Sequence, residues 1–265
     1  QNEPTTGFLP KYPFQTLGFS PETQRDFIAR DLGPALAASS HPSVAIIILD
    51  DSRLLLPHWA RVVLSDVRAA RYVQGIGVHW YLDSLVPPGP SLSATHHLYP
   101  EYFLLGTEAC AGFLPFSTAV QPGSWERGEQ YSHDILQDLN HYVSGWTDWN
   151  LALDSSGGPN WVKNFVDSPV IVLRGSDEFY KQPTFYHLGH FSKFIPEGSQ
   201  RVGLDVSEET ELETVAFIRP EGTAVIIVLN RTSRDLEFVI WDQDLGYINA
   251  VAPGNSIQTY LWARA

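Results

Sequence analysis

The alternation of short apolar runs with longer amphipathic stretches, from residue 1 to about residue 195, most constrains the fold of this chain. Runs rich in apolar and β-branched residues, of strand length, lie at 44–49, 75–80, 103–107 and 146–151. Helical patterns lie between or before them at 21–38, 57–70 and 125–143, with Ser20 and Ser124 placed to cap the first and third. Strands that alternate with helices form parallel sheets. We therefore predict an α/β fold for this part.

The pattern changes after residue 200. Short strand-like runs at 215–218, 223–229, 237–241 and 257–262 follow one another with turn sequences such as Pro220-Glu221-Gly222 and Pro253-Gly254-Asn255 between them. This spacing predicts a small antiparallel β-sandwich. We assign residues 1–198 to the α/β part, with an excursion near 151–182, and residues 199–265 to the sandwich.

Charge and cysteine content exclude several classes of function. The chain has 17 Lys and Arg against 30 Asp and Glu, a net charge of −13, which argues against nucleic acid as a partner because phosphates are bound by clustered cations. Its single cysteine, Cys110, cannot form an internal disulfide, and no His and Cys cluster has zinc-ligand spacing, so we predict no metal. The chain begins at Gln1 and contains no Met, from which we expect an internal start.

Two carboxylates stand where strands of the α/β part are predicted to end. Glu3 lies in Asn2-Glu3-Pro4, and Glu108 closes the run at 103–107. In (β/α)₈ barrels the reactive groups come from the carboxyl ends of different strands. Two facing carboxylates suit glycoside cleavage, in which one protonates the leaving oxygen and the other attacks or activates water. The alternative, that Glu3 is a frayed terminus and Glu108 a solvated loop acid, stays open.

Aromatic residues near the predicted strand ends favour a sugar ligand, because flat apolar rings stack on the C–H face of a sugar. His79 could bond a carboxylate or a sugar hydroxyl, but a structural role fits it equally well. For Trp146 a place in the core is the favoured interpretation, and for Asp148 the sequence does not distinguish a functional role from a structural one. The aromatic residues concerned are Tyr12, Phe14, Trp80, Tyr81, Trp146 and Trp149.

Two further motifs have local explanations. Asp50-Asp51, followed by Arg53, allows a metal or catalytic role, but an Asp–Arg pair that shapes the loop is the favoured interpretation. Asn230-Arg231-Thr232 is an acceptor sequence for N-glycosylation in a secretory pathway.

The chain resembles the family of lysosomal acid β-glucosidases (glucocerebrosidases) and their retaining glycoside hydrolase relatives. The resemblance covers the whole chain, and it rests on the high density of matching residues rather than on any one motif. It includes Asn2-Glu3-Pro4, Val78-His79-Trp80-Tyr81-Leu82-Asp83, Glu108-Ala109-Cys110, Gly145-Trp146-Thr147-Asp148-Trp149 and Thr259-Tyr260-Leu261-Trp262.

The resemblance implies the later part of a (β/α)₈ TIM barrel, strands 4–8, followed by the sandwich. Glu3 would be the general acid/base and Glu108 the nucleophile, with carboxyl groups about 5–5.5 Å apart. It further implies hydrolysis of glucosylceramide-like β-glucosides in the lysosomal lumen without a cofactor, with an activator protein and an anionic membrane surface as candidate partners. The residues that would bind substrate or line the pocket are Asn2, Tyr12, Phe14, His79, Tyr81, Leu82, Trp149 and Asn164.

The departures from the family leave two alternatives open. The family's chains are nearly twice as long, so we expect a partner segment that supplies the first barrel strands, an incomplete chain, or an isolated fragment that is stable only under unusual conditions. The loop at 112–116 differs from the family's, and Asp138 stands where the family has Asn. Two alternatives to a glucosidase therefore stay open. One is a retaining glycosidase with a different β-glycoside substrate, and the other is a catalytically silent fragment that binds sugar or a partner.

Overall fold

A computed structural model describes residues 1–264. They form two compact units. The first comprises residues 1–110, 137–149 and 160–164, and the second comprises the other described residues. No helix among residues 1–264 combines the length and apolar character needed to cross a membrane.

The helices and strands follow one another along the chain as predicted in outline. The α-helices are α1 (Pro21–Phe27), α2 (Gly33–Ala37), α3 (His58–Leu64), α4 (Val67–Ala70), α5 (Ala94–Leu98), α6 (Trp125–Asn140) and α7 (Pro183–Ser192). The strands are β1 (Ile46–Ser52), β2 (Val73–His79), β3 (Phe103–Glu108), β4 (Val143–Trp146), β5 (Ala152–Asp154), β6 (Val170–Val172), β7 (Phe179–Lys181), β8 (Gln200–Val202), β9 (Leu212–Ile218), β10 (Thr223–Asn230), β11 (Leu236–Asp242), β12 (Gly246–Ala252) and β13 (Ser256–Ala263).

The first unit is built on a parallel sheet with the strand order β1-β2-β3-β4. Ile48 pairs with Ile76, and Ile76 with Leu104, and all three side chains are buried in one core with α3 and α4. The apolar residues of these strands form this core, as expected for a parallel sheet covered by helices. The predicted α/β class and partial barrel are therefore confirmed.

The fourth strand lies earlier than predicted. It spans Val143–Trp146 rather than 146–151, so Trp146 ends the strand instead of beginning it. The aromatic residues at 146–149 have high strand propensity, but the register is set by the buried Val143, which pairs with Leu104. Tyr142, at φ 74°, separates this strand from α6, which accordingly ends at Asn140 and not at 143.

Capping residues account for where helices begin within the segments predicted at 21–38 and 57–70. The helix from Pro21 is continuous to residue 37 through a π-helical turn at Ile28–Leu32, and the hydroxyl of Ser20 accepts a hydrogen bond from the Thr23 amide as predicted. The segment predicted at 57–70 instead forms α3 and α4. Asp66 accepts from the Arg68 amide and so begins a new helix.

The second unit contains the predicted antiparallel sheets. One sheet has the order β13-β10-β9-β8, and β11 and β12 form a hairpin whose inner residues Ile240 and Ala252 join Ile226 and Val228 in a core. A smaller sheet of β5, β6 and β7 lies within residues 152–181. The sandwich is confirmed, although β8 and β12 were not predicted, while the boundary at residue 198 stays a prediction.

Candidate active site

The carboxyl ends of the parallel strands place three functional side chains together. In the strand register Ser52 of β1 is opposite His79 of β2, and His79 is opposite Glu108 of β3. The amide of Glu3 donates to the carbonyl of Asp50 over 2.8 Å, which fixes Glu3 beside the end of β1. Glu3 and Glu108, far apart in sequence, are thereby brought to the same end of the sheet.

The imidazole of His79 lies between the two glutamates. Its Nδ1 is 3.3 Å from Oε1 of Glu3 and 3.9 Å from Oε1 of Glu108, and the side chain is almost completely buried. One carboxylate oxygen of Glu3 and one of Glu108 lie within 4.8 Å of each other. At their closest approach the two carboxylates are therefore near the ~5–5.5 Å separation of retaining enzymes, and nearer than the ~6.5–9.5 Å that inverting enzymes need for an intervening water.

Each glutamate also accepts a hydrogen bond from a tyrosine. The hydroxyl of Tyr12 donates to Oε2 of Glu3 over 3.0 Å, and that of Tyr81 donates to Oε1 of Glu108 over 2.8 Å. Burial, and then the neighbouring negative charges, raise the pKa of both phenols well above the ordinary value. Both tyrosines therefore remain protonated donors to the carboxylates.

Asp50 is a site residue for which the sequence interpretation allowed a catalytic role but favoured a structural one. Its Oδ1 lies 3.1 Å from Nε2 of His79 and accepts the hydroxyl of Thr107 over 2.7 Å. The predicted Asp–Arg pair is wrong, because Arg53 binds Asp83 and Asp138 instead. Asp50 lies near the end of a strand, so the rule that pointed to Glu108 could also have pointed to it.

The charges in the site depend on one another. Burial lowers the pKa of His79, but hydrogen bonds with Asp50 and Glu3 outweigh burial and raise that pKa to about 9. Burial raises the pKa of Glu108, although the positive charge of His79 and the hydrogen bond from Tyr81 act in the opposite direction. Burial also raises the pKa of Asp50, but hydrogen bonds from His79 and Thr107 leave it below its usual value.

The same cluster presents ligand atoms that could face a metal ion, since one atom each of Glu3, His79 and Glu108 lie within 4.8 Å of one another. A histidine ligand must be neutral, however. With a pKa of about 9, His79 carries a proton on both nitrogens at neutral pH. A cation bound here would have to displace that proton, and the absence of a metal stays a prediction.

Two predicted aromatic residues lie against the catalytic segments. The ring of Phe14 packs on Tyr12 with centroids 5.4 Å apart. The Trp149 amide donates to the Ala109 carbonyl over 2.8 Å, which holds this partly exposed tryptophan beside the end of β3. Their roles as parts of a pocket wall stay predictions.

The remaining predicted contact residues are not hydrogen-bonded to either glutamate. Asn2 is exposed, and among residues 1–264 its side chain makes no hydrogen bond. Leu82, also exposed, follows Tyr81 along the chain. The Asn164 amide donates to the side chain of Asn160 over 3.0 Å. Their roles toward a sugar stay predictions.

The structure does not support glycosylation of Asn230. Its side chain is completely buried, and Nδ2 donates to the carbonyls of Arg234, Ala252 and Pro253. A glycan would be attached to this same nitrogen. The acceptor sequence instead builds the turn after β10, where the hydroxyl of Thr232 donates to Oδ1 of Asn230.

Comparison with known proteins identifies the family. Residues 1–195 match the glycosyl hydrolase family 30 TIM-barrel domain, and residues 198–260 match the family 30 beta sandwich domain. The chain belongs to glycosyl hydrolase family 30. This agrees with the parallel sheet and the antiparallel sheets described above.

Several family 30 relatives align over the whole chain or nearly so. Lysosomal acid glucosylceramidase of Mus musculus is 62% identical over 100% of this chain and 51% of that protein. Putative glucosylceramidase 4 of Caenorhabditis elegans is 45% identical over 95% of this chain and 48% of that protein. The crystal structure of SrfJ from Salmonella typhimurium superimposes with a TM-score of 0.88 at 27% identity, covering all of this chain and 57% of that one. The chain spans about half the length of the curated relatives it matches.

Proposed function

We propose that this family 30 chain supplies the catalytic pair of a retaining β-glucosidase that hydrolyses glucosylceramide-like β-glucosides. The observation that carries the proposal is the short distance, within 4.8 Å, between a carboxylate oxygen of Glu3 and one of Glu108. Retaining glycosidases need closely spaced carboxyl groups because one of them attacks the sugar directly. The substrate class rests on the names of the mouse and nematode relatives.

In the proposed reaction Glu108 attacks the anomeric carbon while Glu3 protonates the leaving oxygen. The departing alcohol takes the proton of Glu3, and a glycosyl ester forms on Glu108. Glu3, now ionised, removes a proton from water, whose oxygen attacks the anomeric carbon; the bond to Glu108 breaks, the sugar is released, and Glu3 is again the acid and Glu108 the carboxylate. Burial disfavours the carboxylate form of Glu108 that attack requires, so the ionised state depends on His79 and Tyr81.

A mechanism-based cyclitol epoxide tests the nucleophile. In folded, active protein we expect a covalent adduct that peptide mass spectrometry locates at Glu108, and Glu108→Gln should abolish both the adduct and turnover. Glu3→Gln, the matched variant of the second carboxylate, should slow formation of the epoxide adduct, because the epoxide oxygen takes a proton as it opens, and should slow substrates with poor leaving groups far more than activated aryl glucosides. A folded protein that forms no adduct would favour the silent, sugar-binding alternative.

The substrate and location need separate tests. Comparing aryl β-glucoside with aryl β-xyloside and β-galactoside distinguishes a glucosidase from a glycosidase of another specificity. We also propose a lysosomal location, which rests on the name of the mouse relative. An activity maximum near about pH 5 to 6 would support it, and one near ~8 would contradict it. The activator protein and the anionic membrane surface stay predictions.

A further inference from the structure

Both ring nitrogens of His79 face carboxylates. Nδ1 lies 3.3 Å from Oε1 of Glu3, and Nε2 lies 3.1 Å from Oδ1 of Asp50. An ionised carboxylate can only accept hydrogen bonds, whereas a neutral imidazole has one N–H and one lone pair. When both carboxylates are ionised, the two contacts are therefore hydrogen bonds only if the ring is doubly protonated.

The fold holds Asp50 in place for this contact. The hydroxyl of Thr107 donates to the same Oδ1 that faces His79, over 2.7 Å. Asp50 has a φ of 61° at an irregularity in the β1–β2 register, between Leu49 and Asp51. A Cβ at Gly77, on the neighbouring strand, would lie 3.3 Å from Oδ1 of Asp50 and 3.0 Å from the Thr107 side chain. Three strands thus contribute to the position of one carboxylate oxygen.

We propose that Asp50 is a positioning residue that acts through His79, holding the imidazole as a cation between the proposed acid/base Glu3 and the proposed nucleophile Glu108. This inference rests on the proposed function. Because one positive charge then faces both glutamates, Asp50 determines the pH range in which one glutamate is ionised while the other keeps its proton. Asp50 itself contacts neither glutamate side chain in this arrangement and is not a catalytic residue.

The other charged and titratable groups around His79 are consistent with this role. Glu3, Asp50 and Glu108 reach it from three different segments, and the ring of Tyr81 meets it edge-on with centroids 6.0 Å apart. The elevated pKa of His79, about 9, reflects the three surrounding acids.

The first experiment measures the protonation of His79 directly. In folded protein with ¹⁵N-labelled histidine, His79, assigned with His79→Gln, should keep both protons at pH 7. In Asp50→Asn the titration midpoint should fall by about one pH unit or more. Asparagine tolerates positive φ, so this variant preserves the backbone. Asp51→Asn is the matched control: Asp51 accepts the Thr5 hydroxyl and does not contact His79, so the midpoint should not move.

A second variant guards against loss of folding. Thr107→Val removes the hydroxyl that donates to Asp50 and to the Val78 carbonyl, and should move the His79 midpoint by less than Asp50→Asn does. If Asp50→Asn does not fold, the His79 midpoint in Thr107→Val tests the proposal instead. An unchanged His79 midpoint in the folded variant would overturn the proposal.

The kinetic experiment tests the consequence for the site. In protein that hydrolyses an aryl β-glucoside, Asp50→Asn should move both limbs of the kcat/KM profile to higher pH by about one unit. A merely structural role would lower the rate without moving the limbs, which would count against the proposal. If wild-type protein hydrolyses no β-glucoside, the proposed function fails, while the NMR titration still reports on Asp50 and His79.

Discussion

The hydroxyl of Tyr81 and Oε1 of Glu108 lie 2.8 Å apart, joining a loop residue after β2 to the end of β3. Burial raises the pKa of Glu108, whereas the hydrogen bond from the Tyr81 phenol lowers it and so favours the carboxylate form. Without this hydrogen bond, less of the proposed nucleophile would be ionised at acidic pH. The contact therefore bears on both the rate and its pH dependence.

Replacing Tyr81 with Phe should lower the rate and move the acid limb. Loss of a hydrogen bond to a charged group is worth about 1.5–3 kcal/mol, or roughly 10- to 150-fold in kcat. Because Tyr81 lowers the pKa of Glu108, its removal raises that pKa, and the acid limb should move to higher pH. Aryl β-glucoside kinetics measure both effects. Tyr12→Phe, which loses a contact with Glu3 instead, is the matched control, and a Tyr81→Phe profile identical to wild type would contradict this role.

Arg53 should be essential for the stability of the first unit. Its side chain is buried, pairs with Asp83 at 3.0 Å and Asp138 at 3.1 Å, and donates to the Val86 carbonyl. Arg53→Met would leave two buried acids without their cation, at a cost of about 3–5 kcal/mol in unfolding free energy. Urea denaturation measures this. Asp138→Asn keeps the pair with Asp83 and should cost less; an equal loss in both variants would show that the ion pair to Asp83 contributes little.

Two helical glycines in the second unit should respond to alanine with opposite signs. A Cβ on Gly128 of α6 would lie 2.4 Å from Cδ2 of the buried His187, so Gly128→Ala should destabilise by about 1–3 kcal/mol. Gly189 of α7 has no atom within 4 Å of that position, so Gly189→Ala should stabilise by about 0.4–1 kcal/mol. Thermal unfolding of both variants tests the pair. Stabilisation by Gly128→Ala would mean that His187 can move aside.

His187 should make the protein less stable as the solution becomes acidic. Burial, with a smaller contribution from His190, lowers its pKa to about 4. The unfolded chain takes up this proton near about pH 6.5, so between there and about pH 4 the unfolded state binds more protons and stability falls by up to about 3 kcal/mol. Denaturant midpoints at pH 7 and 4.5 measure the slope. His187→Gln should flatten it, and an unchanged slope would exclude His187 as the cause.

Local sequence patterns predicted the elements that are stabilised by contacts between neighbours along the chain or that consist mainly of apolar residues. The runs at 44–49, 75–80 and 103–107 overlap β1, β2 and β3 because each contributes buried apolar side chains, Ile48, Ile76 and Leu104 among them, to one core. Ser20 caps its helix as predicted because a cap needs only neighbours along the chain. By contrast, β12 contains Gly246, Asn249 and two alanines, which weaken its local signal, and it is stabilised by pairing with β11 and by the packing of Ala252 in the core.

The sequence by itself determined that parallel strands precede an antiparallel sandwich, and it singled out Glu3 and Glu108 by their positions at strand ends. Tertiary structure decided which groups surround them: Asp50 binds His79 rather than Arg53, Arg53 binds Asp83 and Asp138, and the amide of Asn230 is buried. Propensity and periodicity depend on neighbours a few residues apart, whereas hydrogen-bond partners and charge depend on strand register and packing between residues far apart in the chain.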